Sequence, residues 1–315
     1  MTQLTERVLR GEVAAMARMI TRIESGADGV EEELAELHRA GGRALVVGVT
    51  GAPGTGKSTL VAAMARELRR RGRTIGVIAV DPTSPYSGGA IMGDRIRMNA
   101  LSGDPGVFIR SMATRGTLGG LARAAADAVA VLDAAGRDWV MVETVGVGQD
   151  EVDIARASHV TLVVSVPGLG DGVQAIKAGV LETADIHVVN KADRDGAQRT
   201  AMELKTMLNL AGPTPKDGWK PPVRMTVAER GEGVAELLDE VERFARWQRK
   251  AGRLEARERE MAAARLRAIA TGILLDHLER PETAADFGAA VERVRERRID
   301  PFTAARELIG GVATR

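Results

Sequence analysis

The stretch Gly51-Ala52-Pro53-Gly54-Thr55-Gly56-Lys57-Ser58-Thr59 has the spacing of a phosphate-binding loop, G-x-x-x-x-G-K-S, with a second hydroxyl residue behind it. Each residue type has a task in that chemistry. Glycines let the backbone wrap an anion without Cβ clashes. Lys57 reaches the β and γ phosphates of a nucleoside triphosphate, and the Ser58 hydroxyl ligates magnesium. Such a loop works between a strand and a helix N-terminus, where free N–H groups and the helix dipole face the phosphates.

Further candidates follow at intervals along the chain. Trp139-Val140-Met141-Val142-Glu143 is an apolar run closed by an acid, the position from which phosphate-loop enzymes hold magnesium, often through water. Gly146 lies three residues on, in a Glu-x-x-Gly variant of the usual Asp-x-x-Gly switch, with its amide spaced to sense a γ-phosphate. Gln149 is a candidate to orient the attacking water. Asp81 closes another apolar run, and Asp94 follows in Gly93-Asp94-Arg95. Magnesium takes octahedral oxygen donors and keeps several waters, so Ser58, Asp81, Asp94 and Glu143 form the predicted metal neighbourhood. Asp81 has the stronger claim of the two aspartates, because strand-end acids in such a fold face the nucleotide; the alternative for Asp94 is a cap or an ion pair with a neighbouring arginine. Asn190-Lys191-Ala192-Asp193 has the form N-K-x-D. Its aspartate can accept both the N1 proton and the exocyclic amine of guanine, whereas adenine would leave that carboxylate unpaired. At Val227-Ala228 a backbone amide is expected to support the guanine carbonyl, although the more usual Ser-Ala pair is absent.

Elements must bring these residues together. Seven apolar runs, Ala44–Thr50, Thr74–Val80, Val107–Arg110, Trp139–Thr144, Val160–Val166, Ile186–Asn190 and Val223–Val227, alternate with stretches long enough for crossover helices. That alternation predicts an α/β fold, a mainly parallel sheet covered on both faces, with ligands at the carboxyl ends of the strands. Leu9, Val13, Met16, Ile20 and Ile23 recur at helical spacing, which predicts one long helix ending at Ser25-Gly26. A second helix covers Val30–Ala40, and Leu60–Arg70 follows the phosphate loop. After Gly233 the pattern is helical: Val234–Lys250, Leu254–Arg280, Thr283–Arg297 and Pro301–Ile309. The expected organisation is an N-terminal helical extension (1–42), a phosphate-loop domain (43–250) and a C-terminal helical region (251–315). The helical block after Gly233, about 80 residues, is too thin for its own core and predicts packing against a second subunit, a homodimer.

Composition narrows the classes. The 315 residues include 44 basic and 43 acidic side chains, for a net charge of +1. That balance gives no electrostatic argument for nucleic acid or a membrane surface. Cysteine is absent, which removes disulfides and thiolate metal sites and fits a cytoplasmic protein. No apolar run reaches the length of about 18 residues that a membrane span needs, and the charged start MTQLTERVLRGE does not read as a secretory signal. The histidines, His38, His159, His187 and His277, show no ligand spacing.

Taken together, GAPGTGKST, VDPTS, GDRIRM, ETVGVGQ, PGLGDGVQAIKAG and NKAD resemble the MeaB/ArgK family, the methylmalonyl-CoA mutase-associated GTPases. The resemblance covers nearly the whole chain, and Ser84–Met98 and Glu143–Glu151 are its most specific parts. It implies a G domain of the SIMIBI class with a C-terminal dimerisation arm. It also implies a GTP- and GDP-binding, magnesium-dependent chaperone of adenosylcobalamin-dependent acyl-CoA mutases, which meets cobalamin only through the mutase. By position, Gly54 to Thr59 would hold the phosphates and Asp193 the base. Asp171, Gln174 and Lys177 would lie in a mobile segment coupling nucleotide state to the mutase.

Within that reading Lys57, Glu143 and Gln149 are the catalytic candidates, and no residue is an obvious base. Intrinsic turnover is therefore expected to be slow and faster with a partner. Two rivals differ in chemistry. A phosphate-loop kinase needs an acceptor pocket and usually adenine. A metal-delivery GTPase needs Cys/His ligands, which this sequence lacks.

Overall fold

The structure, a computed structural model, describes residues 1–82, 101, 103–114, 120–144, 157–168, 183–210, 218–279 and 281–313. Two compact units divide the chain, Met1–Ala264 and Arg265–Arg315.

In the first unit, α1 (Gln3–Leu9), α2 (Val13–Ser25) and α3 (Val30–Ala40) precede β1 (Leu45–Thr50) and α4 (Lys57–Arg70). Then come β2 (Ile75–Pro82), β3 (Val107–Thr114), α5 (Gly120–Ala134), β4 (Trp139–Glu143), β5 (Val160–Ser165) and β6 (Ile186–Val189). The unit continues with α6 (Ala197–Leu210), β7 (Val223–Met225), α7 (Val234–Lys250) and the start of α8 (Leu254–Glu279). Each of the seven predicted apolar runs falls on a strand. The sheet order is β3-β2-β4-β1-β5-β6-β7, and every pair of neighbours is parallel. This is the predicted α/β phosphate-loop fold.

Both faces of the sheet are buried, which is why its strands read as continuous apolar runs. On one face Leu60, Met64 and Leu68 of α4 and Leu237, Val241 and Phe244 of α7 pack on Val47, Met141 and Leu162. On the other, Leu132 of α5 and Met16, Ile20 and Leu37 of the N-terminal helices pack with Val46, Ile78 and Val140. The N-terminal helices therefore complete the second core. A carboxylate sutures them to it: Asp133 on α5 accepts N–H bonds from Gly42, from Arg43 at 2.9 Å and from Ala44 at 2.8 Å.

Several boundaries differ from expectation. The single helix predicted through Val13 is broken at Gly11, which takes φ +75° while its N–H bonds the Val8 carbonyl at 2.7 Å. The break resets the helical phase, so Val13 is exposed while Met16 and Ile20 stay buried. Helix α4 starts at Lys57 rather than Leu60, which puts the lysine and both hydroxyl residues in its first turn. Strand β3 runs to Thr114, past the predicted Arg110, through an eight-residue register with β2. As an edge strand it needs less apolar sequence, and periodicity understates it. Strand β7 stops at Met225.

The root of α8 is tied to the amino-terminal end of the sheet, where Arg257 Nε donates to the Ser158 carbonyl at 2.8 Å. In the second unit, α9 (Pro281–Arg295) and α10 (Pro301–Ala313) follow. Pro301 takes the first position of α10, where a missing N–H leaves nothing unpaired. Asp300 caps that helix through the amides of Phe302 and Thr303, both at 3.0 Å. Arg293 pairs with Glu307 at 2.9 Å between α9 and α10.

Candidate functional site

Strand β1 lies fourth of seven in the sheet. Its chain leaves through α4 to one flank, and β5 returns on the other, so a crevice opens at its carboxyl end. The register fixes the neighbours there: Val49 pairs with Glu143 on β4 and with Leu162 on β5. The ends of β1 and β4 are stitched by Thr144 Oγ1 donating to Thr50 Oγ1 at 3.0 Å and by the Thr144 amide on the Val49 carbonyl at 3.1 Å.

The predicted phosphate loop starts at once. Gly51 has φ +138°, and a Cβ there would stand 2.1 Å from the Val164 carbonyl oxygen, so only glycine lets the loop cross the end of β5. Lys57 Nζ lies inside the loop, donating to the Gly51 carbonyl at 2.8 Å and the Ala52 carbonyl at 3.2 Å. Thr55 Oγ1 closes the turn on the Ala52 carbonyl at 2.8 Å. Ser58, in the first turn of α4, donates from Oγ to Glu143 Oε1 at 2.6 Å. Lys57, Ser58 and Glu143 are all buried, at 6%, 7% and 4% exposure.

Asn190, just past β6, joins three segments. Its Nδ2 donates to the Thr55 carbonyl at 2.9 Å. Its Oδ1 accepts from Thr226 Oγ1 at 3.2 Å and from the Ala228 amide at 3.1 Å. The Val227 amide donates to the Glu232 carbonyl at 3.0 Å. Lys191, in the left-handed region at φ +55°, reaches back to the Gly54 carbonyl at 2.8 Å. Asp193 pairs with Arg230 at 3.4 Å.

Part of this set lines a cleft of about 590 Å³, whose wall includes Gly54, Gly56, Lys57, Ser58, Thr59, Glu143 and Lys191. Asp193 stands beside that wall rather than in it. Ala62, Arg66 and Glu229 also line the cleft, and sequence reasoning missed them. Thr59, Ala62 and Arg66 recur at steps of three and four on α4, a stripe that points to the cleft once the helix is known to start at Lys57. Glu229 directly follows Ala228.

The donors suit a magnesium ion. A hydroxyl and a carboxylate in contact are hard oxygen ligands, and Ser58 and Glu143 supply both. Asp81 belongs to β2, where Ala79 pairs with Glu143, so its backbone lies two residues beyond that acid on the neighbouring strand. Asp94, Gly146, Gln149, Asp171, Gln174 and Lys177 lie outside the described residues. Two histidines are structural. His159 Nδ1 accepts from the Val46 amide at 3.0 Å, and His187 is fully buried in β6.

Comparison with known proteins matches residues 16–283 to the family described as methylmalonyl Co-A mutase-associated GTPase MeaB. The chain belongs to the MeaB family. A Pyrococcus abyssi protein named as a GTPase is 46% identical, over 98% of this chain and 97% of its own. The mouse protein named methylmalonic aciduria type A homolog, mitochondrial, is 35% identical, over 79% of this chain and 64% of its own. Among solved structures, that of a protein named LAO/AO transport system kinase superposes with a TM-score of 0.72 at 26% identity, covering 99% of this chain and 97% of that one. MeaB membership and the phosphate-loop fold together imply binding of GTP and GDP with magnesium. No described helix is long and apolar enough to cross a membrane.

Proposed function

We propose that this protein is a GTP-hydrolysing chaperone that gates adenosylcobalamin loading into an acyl-CoA mutase of the methylmalonyl-CoA type and protects or reactivates that enzyme. The family match over residues 16–283 carries the reading, and the name of the mouse relative supports the link to methylmalonyl metabolism.

The chemistry asked of the site is positioning and charge stabilisation, because phosphoryl transfer leaves little covalent work to the protein. Amides at the start of α4 and the Lys57 ammonium receive the phosphates. Lys57 exchanges its contacts with Gly51 and Ala52 for phosphate oxygens. Ser58 and Glu143 would hold magnesium, with Asp81 and Asp94 completing its neighbourhood. When bound, the ion would supply positive charge against the phosphates. The Gly146 amide senses the γ-phosphate and Gln149 orients the water. Asn190, Lys191 and Asp193 receive the guanine; the Val227 and Ala228 amides, expected to support the guanine carbonyl, bond the Glu232 carbonyl and Asn190 Oδ1 instead, so Ala228 would have to give up its bond to Asn190 to make that contact. Without a dedicated base, turnover is slow until a partner completes the site, and Asp171, Gln174 and Lys177 carry nucleotide state to the mutase. Exposed Leu266, Ile273, Phe287, Val291, Phe302 and Ile309 on α8–α10 supply the apolar surface of a homodimer.

The test combines nucleotide titration with affinity purification of the full chain from its native cell. The expected result is tight GTP, weak ATP and a co-purifying cobalamin-dependent acyl-CoA mutase whose retention depends on nucleotide. A chain that binds ATP in preference to GTP and retains no mutase would instead fit a phosphate-loop kinase, the activity for which the similar solved structure is named.

A further inference from the structure

We infer that Arg230 is a positioning residue for base selection, holding the Asp193 carboxylate in the orientation that reads the guanine edge. The inference rests on the assignment of Asp193 as the base reader.

The loop that follows β7 is fixed from both ends. The Val227 amide bonds the Glu232 carbonyl at 3.0 Å, and the Arg230 amide bonds the Val227 carbonyl at 3.0 Å. On that frame Glu232 takes one edge of the Arg230 guanidinium, with Oε1 on Nε at 2.6 Å and Oε2 on Nη2 at 3.4 Å. A guanidinium is rigid and planar, so a carboxylate on one edge fixes where the remaining nitrogen points. That nitrogen, Nη1, meets Asp193 Oδ2 at 3.4 Å.

Asp193 is seated from its own side too. The Ala192 amide bonds the Thr226 carbonyl at 3.0 Å, and the Arg194 amide closes a turn on the Lys191 carbonyl at 3.0 Å. Asn190 joins the same loop to the phosphate loop through Ala228 and Thr55. Glu232, Arg230 and Asp193 therefore form a chain of alternating charge beside the cleft that Lys191 lines.

Reading guanine asks both Asp193 oxygens to lie in the plane of the base, one for N1–H and one for the 2-amino group. A carboxylate oxygen accepts more than one bond, so the long Arg230 contact leaves Oδ2 able to receive the base while restricting rotation of the carboxylate. The pair is half exposed, with side chains 54% and 39% accessible, so its contribution belongs to the modest class of surface pairs. The consequence is selective. Inosine lacks the 2-amino group and tolerates a rotated carboxylate, whereas guanosine does not.

The experiment measures dissociation constants of GTP and ITP by competition against a fluorescent guanine nucleotide on the full chain. Arg230→Ala is expected to lower the GTP-over-ITP preference by about 2- to 5-fold with ITP affinity little changed. Glu232→Gln, which loosens the guanidinium without removing it, shifts the ratio the same way by less. Arg230→Ala placed on Asp193→Asn adds nothing further. An unchanged ratio, an equal loss for both nucleotides, or tighter GTP binding by Arg230→Ala would each overturn the inference. Asp193→Asn alone separates the two levels. If it fails to move preference from guanine toward xanthine, the base-pocket assignment falls and the role of Arg230 falls with it. If it moves the preference and Arg230→Ala does not change the ratio, only the role of Arg230 is lost.

Discussion

Ser58 and Glu143 are 85 residues apart in the chain and meet through a 2.6 Å hydrogen bond between Oγ and Oε1. The contact follows from two adjacent parallel strands, because β1 delivers the loop that ends in Ser58 and β4 ends at Glu143, one strand spacing away. Removing either group should cost magnesium-dependent GTP turnover about 10- to 100-fold, the usual scale for a metal-site partner. Glu143→Gln keeps the shape and can still accept from Ser58, so it isolates the charge. Because the two residues act as a unit, Ser58→Ala combined with Glu143→Gln should lose much less than the product of the single losses. Wild-type turnover in both single variants at limiting magnesium would remove the pair from the metal site.

Much of this arrangement was legible in the sequence because its signals are local. Nine consecutive residues mark the phosphate loop, and an acid closing an apolar run marks the end of β4. Burial of the sheet on both faces made each strand a continuous apolar run. What could not be read depends on contacts across distance or on backbone geometry. Periodicity carried the N-terminal helix straight through Gly11, since a left-handed turn leaves no mark on apolar spacing. The carboxylate of Asp133 receives three amides from residues 42–44, and nothing in either segment announces the other. Arg66 and Glu229, far apart in the chain, line one cleft, a juxtaposition that no local pattern carries.

Asp133 should be a stability determinant for the packing of the N-terminal helices. Its carboxylate satisfies amides from Gly42, Arg43 and Ala44, in the linker that joins α3 to β1. Charge-assisted bonds to backbone amides are stronger than neutral ones, and removing the acceptor leaves several donors without it. Asp133→Ala should lower unfolding free energy by about 2–3 kcal/mol, read by chemical denaturation. Asp133→Asn, which keeps one acceptor oxygen, should lose less. Equal, near-zero effects for both would show that water replaces the carboxylate at no cost.

The apolar residues exposed on α8–α10 give a test of the proposed dimer. Phe302 is 77% exposed and Leu266 68%. A large apolar side chain buried at an interface contributes about 1.5–3 kcal/mol, so Leu266→Glu combined with Phe302→Glu should shift a dimer toward monomer at micromolar concentration. Light scattering coupled to size exclusion gives the mass directly, and circular dichroism checks that helicity is retained. A monomeric wild type would end the dimer proposal outright.

Stability should fall steeply in mild acid, for a reason centred on β6. His187 has no exposed surface, and burial depresses its pKa to about 4. His159 is also held near 4, first by burial and then by the Arg257 charge. Both imidazoles fold neutral, whereas the unfolded chain protonates them near 6.5, so each contributes stability above 6.5 that is lost as pH falls toward 4. Asp185 works the other way. Burial, partly countered by Arg257, raises it to about 6, so the folded state keeps a proton there that the unfolded chain has released. Its contribution weakens folding as pH rises from about 4 to 6. From about pH 4.5 to 6 the unfolded state then holds two protons on histidine and the folded state one on Asp185. The net of one proton corresponds to a slope of about 1.4 kcal/mol per pH unit, with stability rising toward neutrality. His187→Leu removes one of the two histidine protons and should flatten that slope, while leaving stability near pH 7 close to that of the parent. Urea midpoints measured at half-unit steps would show it. A variant whose slope matches the wild type would mean that His187 folds protonated or that the acid response originates elsewhere.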